Sequence, residues 1–355
     1  MQAPHNMRSD PHRRPASHLP SEASAIALNP MSSTKCGPLP ESDLSLARLG
    51  VSAEELARLF EPFVAPSASP HDPDWHTEFE RRKGKILRRY LKRKFLGWLP
   101  ALQRREATVL EEYSRAWDQI DFNSYRVHGP LYRVSPWEWR GHKMLASDIG
   151  ATRVRQLLLI RALEKLNPAS VLEVGCGNGI NLLLLACAFP AVAFAGIELT
   201  AEGWLAATQF QELPALPKHM REFAPFPLRD PSAFRRIGFH QGTAAHLPFA
   251  DGEFDLVFTV LALEQMEQVR DQALKELSRV ARHHVFMIEP FREVNDSGWA
   301  RRNVLGLDYF RGRIADLRNY GLSPVLATDD FPQETFLKSC AVLAEKIDPQ
   351  GGAAN

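Results

Sequence analysis

The stretch Val171-Leu-Glu-Val-Gly-Cys-Gly-Asn-Gly179 decides the fold. An apolar strand pattern, Val171 to Val174, runs directly into a turn with glycine at every second position, and an apolar helix pattern begins at Ile180. Glycine permits positive φ and lets a ligand approach the backbone closely. In a parallel sheet with helices on both faces, ligands bind outside the carboxyl ends of the strands, where the strand order reverses. The stretch therefore predicts the ligand-binding turn of an α/β domain.

From Ser170 onward, short apolar runs alternate with helical patterns, which is typical of a parallel sheet covered on both faces. The predicted strands are 170–174, 193–198, 238–242, 254–260, 285–289, 324–328 and 336–345, and the predicted helices are 151–166, 180–189, 201–211, 271–281 and 309–320. The last two strands are joined by 329–335, which is too short for a crossover helix. The last strand is therefore expected to run antiparallel.

Composition narrows the class of protein. The 355 residues are 45% hydrophobic, enough for a sizeable core. An apolar run of about 18 residues is missing, and the first forty residues lack the apolar segment of a secretory signal, so a cytoplasmic protein is expected. The net charge of +1 gives no general argument for nucleic acid. The four cysteines form no C-x-x-C or Cys/His pattern, so no metal site is predicted.

The chain is predicted to have a disordered tail over residues 1–40 and another over 348–355, since the first is rich in Pro and Ser without hydrophobic periodicity. Residues 41–149 are interpreted as a helical, basic N-terminal extension or lid, and residues 150–347 as the ligand-binding domain. The capping box Ser52-Ala-Glu-Glu55 marks the start of a helix in the extension.

The extension has an unusual basic segment. Between Arg81 and Lys94, nine of fourteen residues are Lys or Arg, and apolar residues recur at three- and four-residue steps over 79–98. This pattern predicts a basic amphipathic helix. Such a helix can lie on an anionic membrane surface or contact RNA, which would make the protein membrane-peripheral or RNA-binding. It can equally be a solvated helix whose apolar stripe packs on the main domain.

The glycine spacing discriminates between cofactor classes. A dinucleotide fingerprint requires G-x-G-x-x-G, with glycine at position 180, whereas this chain has G-x-G-x-G and Ile180. Glu198 ends the next predicted strand, and a carboxylate there can accept hydrogen bonds from both hydroxyls of a ribose. The spacing disfavours NAD and is compatible with a nucleoside cofactor that has no phosphate.

Three blocks carry a resemblance to a known family: Val171 to Gly179, Gly196-Ile-Glu198, and Leu247-Pro-Phe-Ala-Asp-Gly-Glu-Phe-Asp-Leu-Val257. With them the chain resembles the class I methyltransferases that depend on S-adenosylmethionine (SAM), particularly the small-molecule group called type 11. The resemblance implies SAM as cofactor, a methyltransferase domain over 150–347, and a Rossmann-like α/β fold. That fold has a seven-stranded, mostly parallel sheet with an antiparallel last strand, here with the helical N-terminal extension added.

The resemblance also implies a cofactor site. Its residues would be Glu173, Gly175, Gly177, Gly179, Glu198, Leu199, Thr243, Ala244 and Thr259. Glu173 would hold the methionine part of SAM with the backbone of Gly175 and Gly177, Glu198 would hold the ribose, and Leu199 would pack on adenine. Thr243 stands where most relatives have an acidic residue that binds the adenine amino group.

Methyl transfer from a sulfonium is an in-line displacement, so the enzyme chiefly aligns the acceptor and excludes water. A general base, where the acceptor needs one, should stand near the ends of the fourth and fifth strands. Glu264 and Glu289 are the catalytic candidates there, although Glu289 could instead pair with Arg292. Gln265 replaces the histidine that many relatives have at this position.

Two insertions, 212–237 and 291–308, are expected to hold substrate, and Arg292, Arg301 and Arg302 would suit an anion. A lid of Trp137, Trp139, Arg140 and His142 is a further expectation.

The predicted activity is methyl transfer to an oxygen, nitrogen or carbon of a small molecule, glycan precursor or lipid headgroup. The alternatives are an RNA-directed enzyme, although Thr259-Val-Leu-Ala262 is not an N-P-P-Y tetrapeptide, and a catalytically silent SAM-fold subunit.

Overall fold

The computed structural model describes residues 46–66, 73–97 and 122–347. The two predicted tails and Trp98, the last residue of the predicted basic helix, lie outside these ranges.

The strands of the described residues are β1 Val134–Trp139, β2 His142–Ser147, β3 Ser170–Val174, β4 Ala193–Glu198, β5 Gly238–Gln241, β6 Phe254–Val260, β7 Ala281–Glu289, β8 Leu322–Thr328, β9 Gln333–Glu334 and β10 Cys340–Lys346. Seven of them form one sheet in the order β5-β4-β3-β6-β7-β10-β8. Neighbours are parallel from β5 to β7, and β10 is antiparallel to both β7 and β8. The predicted Rossmann-like sheet with an antiparallel last strand is confirmed.

The helices are α1 Ala53–Phe60, α2 Pro73–Leu96, α3 Asp148–Leu166, α4 Ile180–Ala188, α5 Ala201–Phe210, α6 Lys218–Phe223, α7 Arg270–Val280 and α8 Gly298–Leu307. The predicted helix 309–320 is wrong in its first half, because only Ile314–Tyr320 is helical, as a 3-10 turn. The amide of Phe310 instead donates to the carbonyl oxygen of Glu264 (3.0 Å), which holds the segment against the loop after β6.

The sheet separates two apolar clusters, as a strand period of two requires. Val171 belongs to the cluster that contains α3 and α4, whereas Leu172 belongs to the cluster that contains α7. The chain runs from β3 outward through β4 to β5 and then crosses to β6 on the other side of β3. The strand order therefore reverses between β3 and β6, directly beside the glycine turn, where a ligand crevice is expected.

The N-terminal extension shares the core of the main domain. Leu56 and Phe60 of α1 belong to the same apolar cluster as α3. Phe63 lies so close to α3 that a Cβ at Gly150 would come within 2.6 Å of the Phe63 Cβ. Arg153 of α3 donates to the carbonyl oxygen of Leu59 (3.2 Å). These contacts make α1 part of one folded unit with the sheet.

Residues 134–147 correct the helical expectation for the extension, because they form a hairpin of β1 and β2 that β9 extends to a three-stranded antiparallel sheet. Arg140 (φ 47°) and Gly141 (φ 82°) form its turn. Two successive positive φ values suit the right-handed twist of a tight hairpin. The pairing with β9 joins this hairpin to a segment near the other end of the chain.

The basic helix α2 packs on α8, and Gly306 allows the close approach, since a Cβ there would lie 3.1 Å from the backbone nitrogen of Tyr90. Its inner face buries Trp75 and Ile86. No helix within the described ranges is long and apolar enough to cross a membrane.

Candidate active site

A cavity of about 620 Å³ lies at the carboxyl ends of β3, β4 and β6. This volume is within the range of small-molecule sites, about 300–1,000 Å³. Seven of the predicted cofactor residues line it: Glu173, Gly175, Gly177, Glu198, Leu199, Thr243 and Ala244. The cavity continues to Glu264 and beyond it to Tyr309 and Glu334, which lie outside the three predicted motifs.

The glycine turn needs glycine for two physical reasons. Gly175 has φ 76°, in the left-handed region that disfavours other residues. A Cβ there would also come within 2.5 Å of the Ala262 Cβ. The Gly175 amide donates to the carbonyl oxygen of Ile197 (2.8 Å), which ties the turn to the end of β4. The turn is therefore held flat against the neighbouring strand and leaves its other side to the cavity.

Glu198 joins the glycine turn to the next helix. Its Oε2 accepts a hydrogen bond from the Gly177 amide (2.9 Å), and its Oε1 accepts from the Thr200 amide (3.0 Å) and hydroxyl (2.7 Å). Thr200 in turn caps α5 by accepting from the Gly203 amide (3.3 Å). A carboxylate has about four acceptor positions. One position remains for a ligand in the cavity that Glu198 lines.

Glu173 carries an unsatisfied buried oxygen. Its Oε1 accepts from Asn181 Nδ2 (2.8 Å), whereas Oε2 is buried and has no hydrogen-bond partner among the described residues. Burial raises the pKa of Glu173 to about 8, the Asn181 bond opposes the rise, and the Glu198 charge adds to it. An orphaned carboxyl oxygen costs free energy unless a donor reaches it. Glu173 therefore fits an ammonium group placed in the cavity.

The extension covers this end of the cavity. The Tyr125 hydroxyl lies 3.4 Å from Asn178 Nδ2, in the glycine turn. The Asn178 side-chain oxygen accepts from the Ile180 amide (3.3 Å) at the start of α4. Tyr125 is buried, and burial raises its pKa to about 12, so it stays a neutral hydroxyl.

Three predicted site residues do not line the cavity. Gly179 (φ 79°) is the N-cap of α4, and a Cβ there would meet the Phe239 ring at 2.8 Å, so its place in the turn is structural. Thr259 is fully buried within β6, one residue before the first cavity-lining residue of that segment, Val260. Glu289 is fully buried at the end of β7. The alternation of side chains along a strand turns Thr259 and Glu289 away from the ligand.

Glu289 fixes the chain that leaves β6. Its Oε1 accepts from the Ala262 amide (2.9 Å), next to Leu261, whose φ of 51° is strained for a residue with a side chain. The Leu261 amide also donates to the Ile288 carbonyl oxygen (3.0 Å). Burial, with a contribution from the Glu264 charge, raises the pKa of Glu289 to about 8. No ion pair between Glu289 and Arg292 occurs in the described residues.

Glu264 lines the cavity and is 8% exposed. Its Oε1 accepts from Gln265 Nε2 (3.0 Å). Sequence reasoning missed most of its neighbours in the lining, which are Trp137, Asp148, Thr152, Arg155, Tyr309 and Glu334. The spacing of Asp148, Thr152 and Arg155 places them on one helical face and is a signal that could have identified them. Glu334 has no such signal, because the pairing of β9 with β1 brings it to the site.

The predicted substrate-binding insertions lie elsewhere. None of the described residues of 212–237 lines the cavity, because Met220 and Phe223 of α6 are buried in the core beside the extension. Arg292, Arg301 and Arg302 also lie outside the lining. Of the expected lid, only Trp137 faces the cavity, since Trp139 and Arg140 bond to Asp330.

Residues 172–288 match a family model described as a methyltransferase domain. Similar solved structures include magnesium protoporphyrin IX methyltransferase from Synechocystis PCC 6803, with 15% identity over 56% of this chain and 84% of that chain and a TM-score of 0.41. They also include geranyl diphosphate C-methyltransferase from Streptomyces coelicolor A3(2), with 11% identity over 67% of this chain and 98% of that chain and a TM-score of 0.41.

The family match covers the glycine turn, Glu198 and the strands that form the floor of the cavity. Glu173 offers an unsatisfied carboxyl oxygen that suits the ammonium in the amino-acid part of SAM. Glu198, at the end of the next strand, offers a second carboxylate that suits the nucleoside part. Residues 172–288 are therefore a methyltransferase domain of the class I, SAM-dependent type.

Proposed function

We propose that this enzyme transfers a methyl group from SAM to a small polar acceptor that enters the cavity beyond the cofactor. The observation that carries the proposal is the part of the lining that contains Glu264, which includes two aromatic side chains, Trp137 and Tyr309, and the charged side chains Arg155 and Glu334. A pocket with aromatic walls and a few charged groups binds and orients small molecules. A macromolecular acceptor would instead need a wide, open surface around the transfer site.

In this proposal the cofactor end of the cavity holds SAM. Glu173 receives the ammonium on its unsatisfied oxygen, and the turn at Gly175 and Gly177 lies under the methionine part. Glu198 accepts a hydrogen bond from a ribose hydroxyl. When bound, SAM supplies an electrophilic methyl group on a sulfonium.

The adenine edge of this cofactor site would be formed by Leu199, Thr243 and Ala244. The Thr243 hydroxyl accepts from the Ala245 amide (3.3 Å), so its remaining hydrogen is available as a donor to a ring nitrogen. Thr259 and Gly179 support this surface from below rather than contact the cofactor.

Glu264 is the proposed acceptor-binding carboxylate, because it alone of the two catalytic candidates lines the cavity. It can accept a proton or a hydrogen bond from the acceptor nucleophile. Glu289 is a positioning residue, because its bond to the Ala262 amide maintains the strained Leu261 backbone beside the transfer site.

The direct test is incubation with SAM labelled in its methyl group and an extract separated into small-molecule, lipid, RNA and protein fractions. Label is expected in the small-molecule fraction and should be strongly reduced with the Gly175→Ala variant at a limiting concentration of SAM. Label in RNA or protein would overturn the small-acceptor proposal. The Glu264→Gln variant should bind SAM normally and transfer the methyl group at least about 100-fold more slowly, because a positioned proton acceptor contributes about 10²–10⁴ to the rate.

We also propose that α2 contacts an anionic membrane surface rather than RNA. Leu87, Leu91 and Phe95 repeat at four-residue steps and are 40%, 40% and 65% exposed. Exposed basic residues flank this stripe, including Arg88 and Lys92. Apolar side chains beside positive charges match the boundary between lipid headgroups and acyl chains, whereas single-stranded RNA binding relies on aromatic stacking.

Sedimentation with phosphatidylcholine vesicles, with and without phosphatidylserine, tests the contact. The enzyme should sediment with the anionic vesicles only, and replacing Leu87, Leu91 and Phe95 by glutamine should abolish this. The matched control replaces Leu205 and Leu213 by glutamine, because these side chains are 43% and 39% exposed and do not belong to α2. Equal loss in the control, or retention on RNA but not on vesicles, contradicts the membrane proposal.

A further inference from the structure

Arg155 lies in the acceptor end of the cavity and has no ion-pair partner among the described residues. It lies on α3 with Asp148 and Thr152, which are seven and three residues before it, so the three side chains share the face that lines the cavity. Its Nε is buried and has no hydrogen-bond partner, and no carboxylate among the described residues forms an ion pair with the guanidinium. Arg155 therefore lines the cavity without a hydrogen-bond or ion-pair partner among the described residues.

The neighbouring Arg153 shows that α3 can satisfy a buried arginine. Its Nε donates to the Phe223 carbonyl oxygen (2.8 Å) and its Nη1 to the Leu59 carbonyl oxygen (3.2 Å). Arg155, two residues later, lies on the opposite side of the helix, and no residue that the structure describes accepts a hydrogen bond from its Nε. A buried charge without a partner is destabilising, so a retained one needs a ligand or a nearby opposite charge to compensate it.

Acidic groups surround Arg155 without pairing to it. The strongest electrostatic effects on Arg155 come from Glu264, Asp148 and Glu334, which lie on three different elements of the fold. Asp148 Oδ1 is itself buried without a partner among the described residues. Glu334 is bound by Arg82 of α2. The acceptor end thus presents one free guanidinium fork and, close to it, an unsatisfied carboxyl oxygen.

We propose that the methyl acceptor is a small zwitterion whose carboxylate is bound by Arg155 and whose amino group is bound by Asp148. The inference rests on the small-acceptor function proposed above and names its substrate class. The guanidinium fork matches a carboxylate through two parallel hydrogen bonds. A phosphate dianion fits less well, because it would face the carboxyl groups of Asp148 and Glu264 as well as the arginine. The unsatisfied Oδ1 of Asp148 accepts a hydrogen bond from the ammonium of the same molecule.

The carboxylate of SAM is the competing partner for Arg155, since SAM also carries an amino-acid group. The cavity has a second cation, Arg133, for that role. Arg133 is among the charges that act on buried Tyr125, which contacts the glycine turn at Asn178. Arg155 instead has its strongest interactions with residues of the acceptor end. Arg133 also acts on Asp148, so it lies between the two ends of the cavity, and it is the cation that the structure offers to the cofactor carboxylate. The charges that act on Arg155 belong to the acceptor end, which makes Arg155 the cation for the acceptor.

The first test separates these two partners. Arg155→Gln should leave the affinities for SAM and for S-adenosylhomocysteine (SAH) within about threefold of the original enzyme, which also shows that the variant is folded. A loss of tenfold or more for SAM, with unchanged binding of decarboxylated SAM, would assign Arg155 to the cofactor. That result would overturn the inference and leave the small-acceptor function intact.

The second test uses the SAH complex and three probes followed by NMR: glycine, acetate and inorganic phosphate. Glycine is expected to bind in a saturable way and more tightly than acetate, and acetate more tightly than phosphate. Arg155→Gln should weaken glycine and acetate at least about tenfold, and Asp148→Asn should weaken glycine but not acetate. Arg301→Gln is the matched control, because Arg301 also has a buried unpaired nitrogen but lies outside the cavity.

Several outcomes overturn the inference. One is that phosphate binds more tightly than both glycine and acetate. Another is that Arg301→Gln weakens glycine binding as much as Arg155→Gln does. A third is that glycine shows no saturable binding to the original enzyme. Label found in RNA or protein in the extract experiment is the separate result that would remove the small-acceptor function itself.

Discussion

The two ends of the cavity are built in different ways. The cofactor end comes from short stretches at the tips of adjacent strands, and backbone amides such as those of Gly175 and Gly177 do much of its bonding. The acceptor end is assembled from side chains on α3, β1, β9 and the segments after β6 and α8, which are far apart in the chain. The first end needs a particular local backbone, whereas the second needs the whole fold.

The largest effect is expected for Gly175→Ala, because this substitution disturbs the backbone of the turn that forms the cofactor end. The change places a Cβ at φ 76° and within 2.5 Å of the Ala262 Cβ. SAH affinity should fall about 100-fold, about 2.7 kcal/mol. The matched control is Gly298→Ala, since Gly298 also has positive φ (61°) but open space around it. Calorimetry should find only a modest stability loss in the control, and equal SAH affinities for both variants would contradict the role of the turn.

A smaller effect is expected for Glu198→Ala, which removes the acceptor of three hydrogen bonds and the proposed ribose contact. SAH affinity should fall about 30-fold, since hydrogen bonds to a charged group are each worth about 1.5–3 kcal/mol. Thr200→Val is the control. It loses one bond to Glu198 and the cap of α5, so its stability should fall by about 1 kcal/mol with little change in affinity. An unchanged affinity in Glu198→Ala would remove the ribose assignment.

The pH dependence of SAM binding tests Glu173. Its pKa of about 8 leaves it mostly protonated at pH 7, whereas a bound ammonium favours the ionised form. Binding at pH 7 should therefore release a proton, and affinity should rise up to about tenfold per pH unit between pH 6 and 8. Calorimetry in two buffers of different ionisation enthalpy measures the release, which Glu173→Gln should abolish. No release from the original enzyme would place the ammonium elsewhere.

The raised pKa of Glu173 also makes the free energy of unfolding depend on pH. The pKa of Glu173 is higher in the folded than in the unfolded protein, so its stabilising effect is present below pH about 4.5 and is lost as pH rises to about 8. Thermal unfolding of the SAM-free enzyme should show this decline, and SAM should reduce it.

A gain of about fivefold in SAM affinity is expected for Thr243→Asp. Thr243 lines the cavity where resembling enzymes have an acidic residue for the adenine amino group. An added charge-assisted hydrogen bond at this partly exposed place should contribute about 1 kcal/mol. Titration of the variant with SAH and with an analogue that lacks the amino group separates this contact from a general charge effect. Equal gains for both ligands would exclude the amino contact.

The smallest effect is expected for Glu289→Gln. Glu289 is buried with a pKa of about 8, so at pH 7 the amide closely replaces a protonated carboxyl group and can still accept from Ala262. Methyl-transfer rate and SAH affinity should stay within about threefold at pH 7. As pH rises from about 4.5 to about 8, the original enzyme should lose stability, because Glu289 ionises in the unfolded protein before it does so in the folded one, and the variant should lose less. A 100-fold slower transfer at pH 7 would instead make Glu289 a participant in the proton transfer.

Sequence patterns located the strands that carry the site because each of those strands is apolar and bounded by a recognisable turn. They failed for β1 and β2, whose Trp137 and Trp139 suggested a lid although Arg140-Gly141 marks a hairpin turn. They also placed Arg292, Arg301 and Arg302 at the substrate, because position after a strand was the only available guide. The insertion folds as α8, which packs on α2 and turns away from the cavity.

The sequence by itself determined the α/β fold, the glycine turn and the pairing of that turn with Glu198, since these depend on contacts between adjacent strands and on the backbone freedom of glycine. Tertiary structure decided which carboxylates face the cavity: Glu264 does, whereas Glu289 is buried behind the strained turn at Leu261. It also brought Arg155 and Glu334 together. Such side chains meet only when distant segments pack, and no local pattern records that packing.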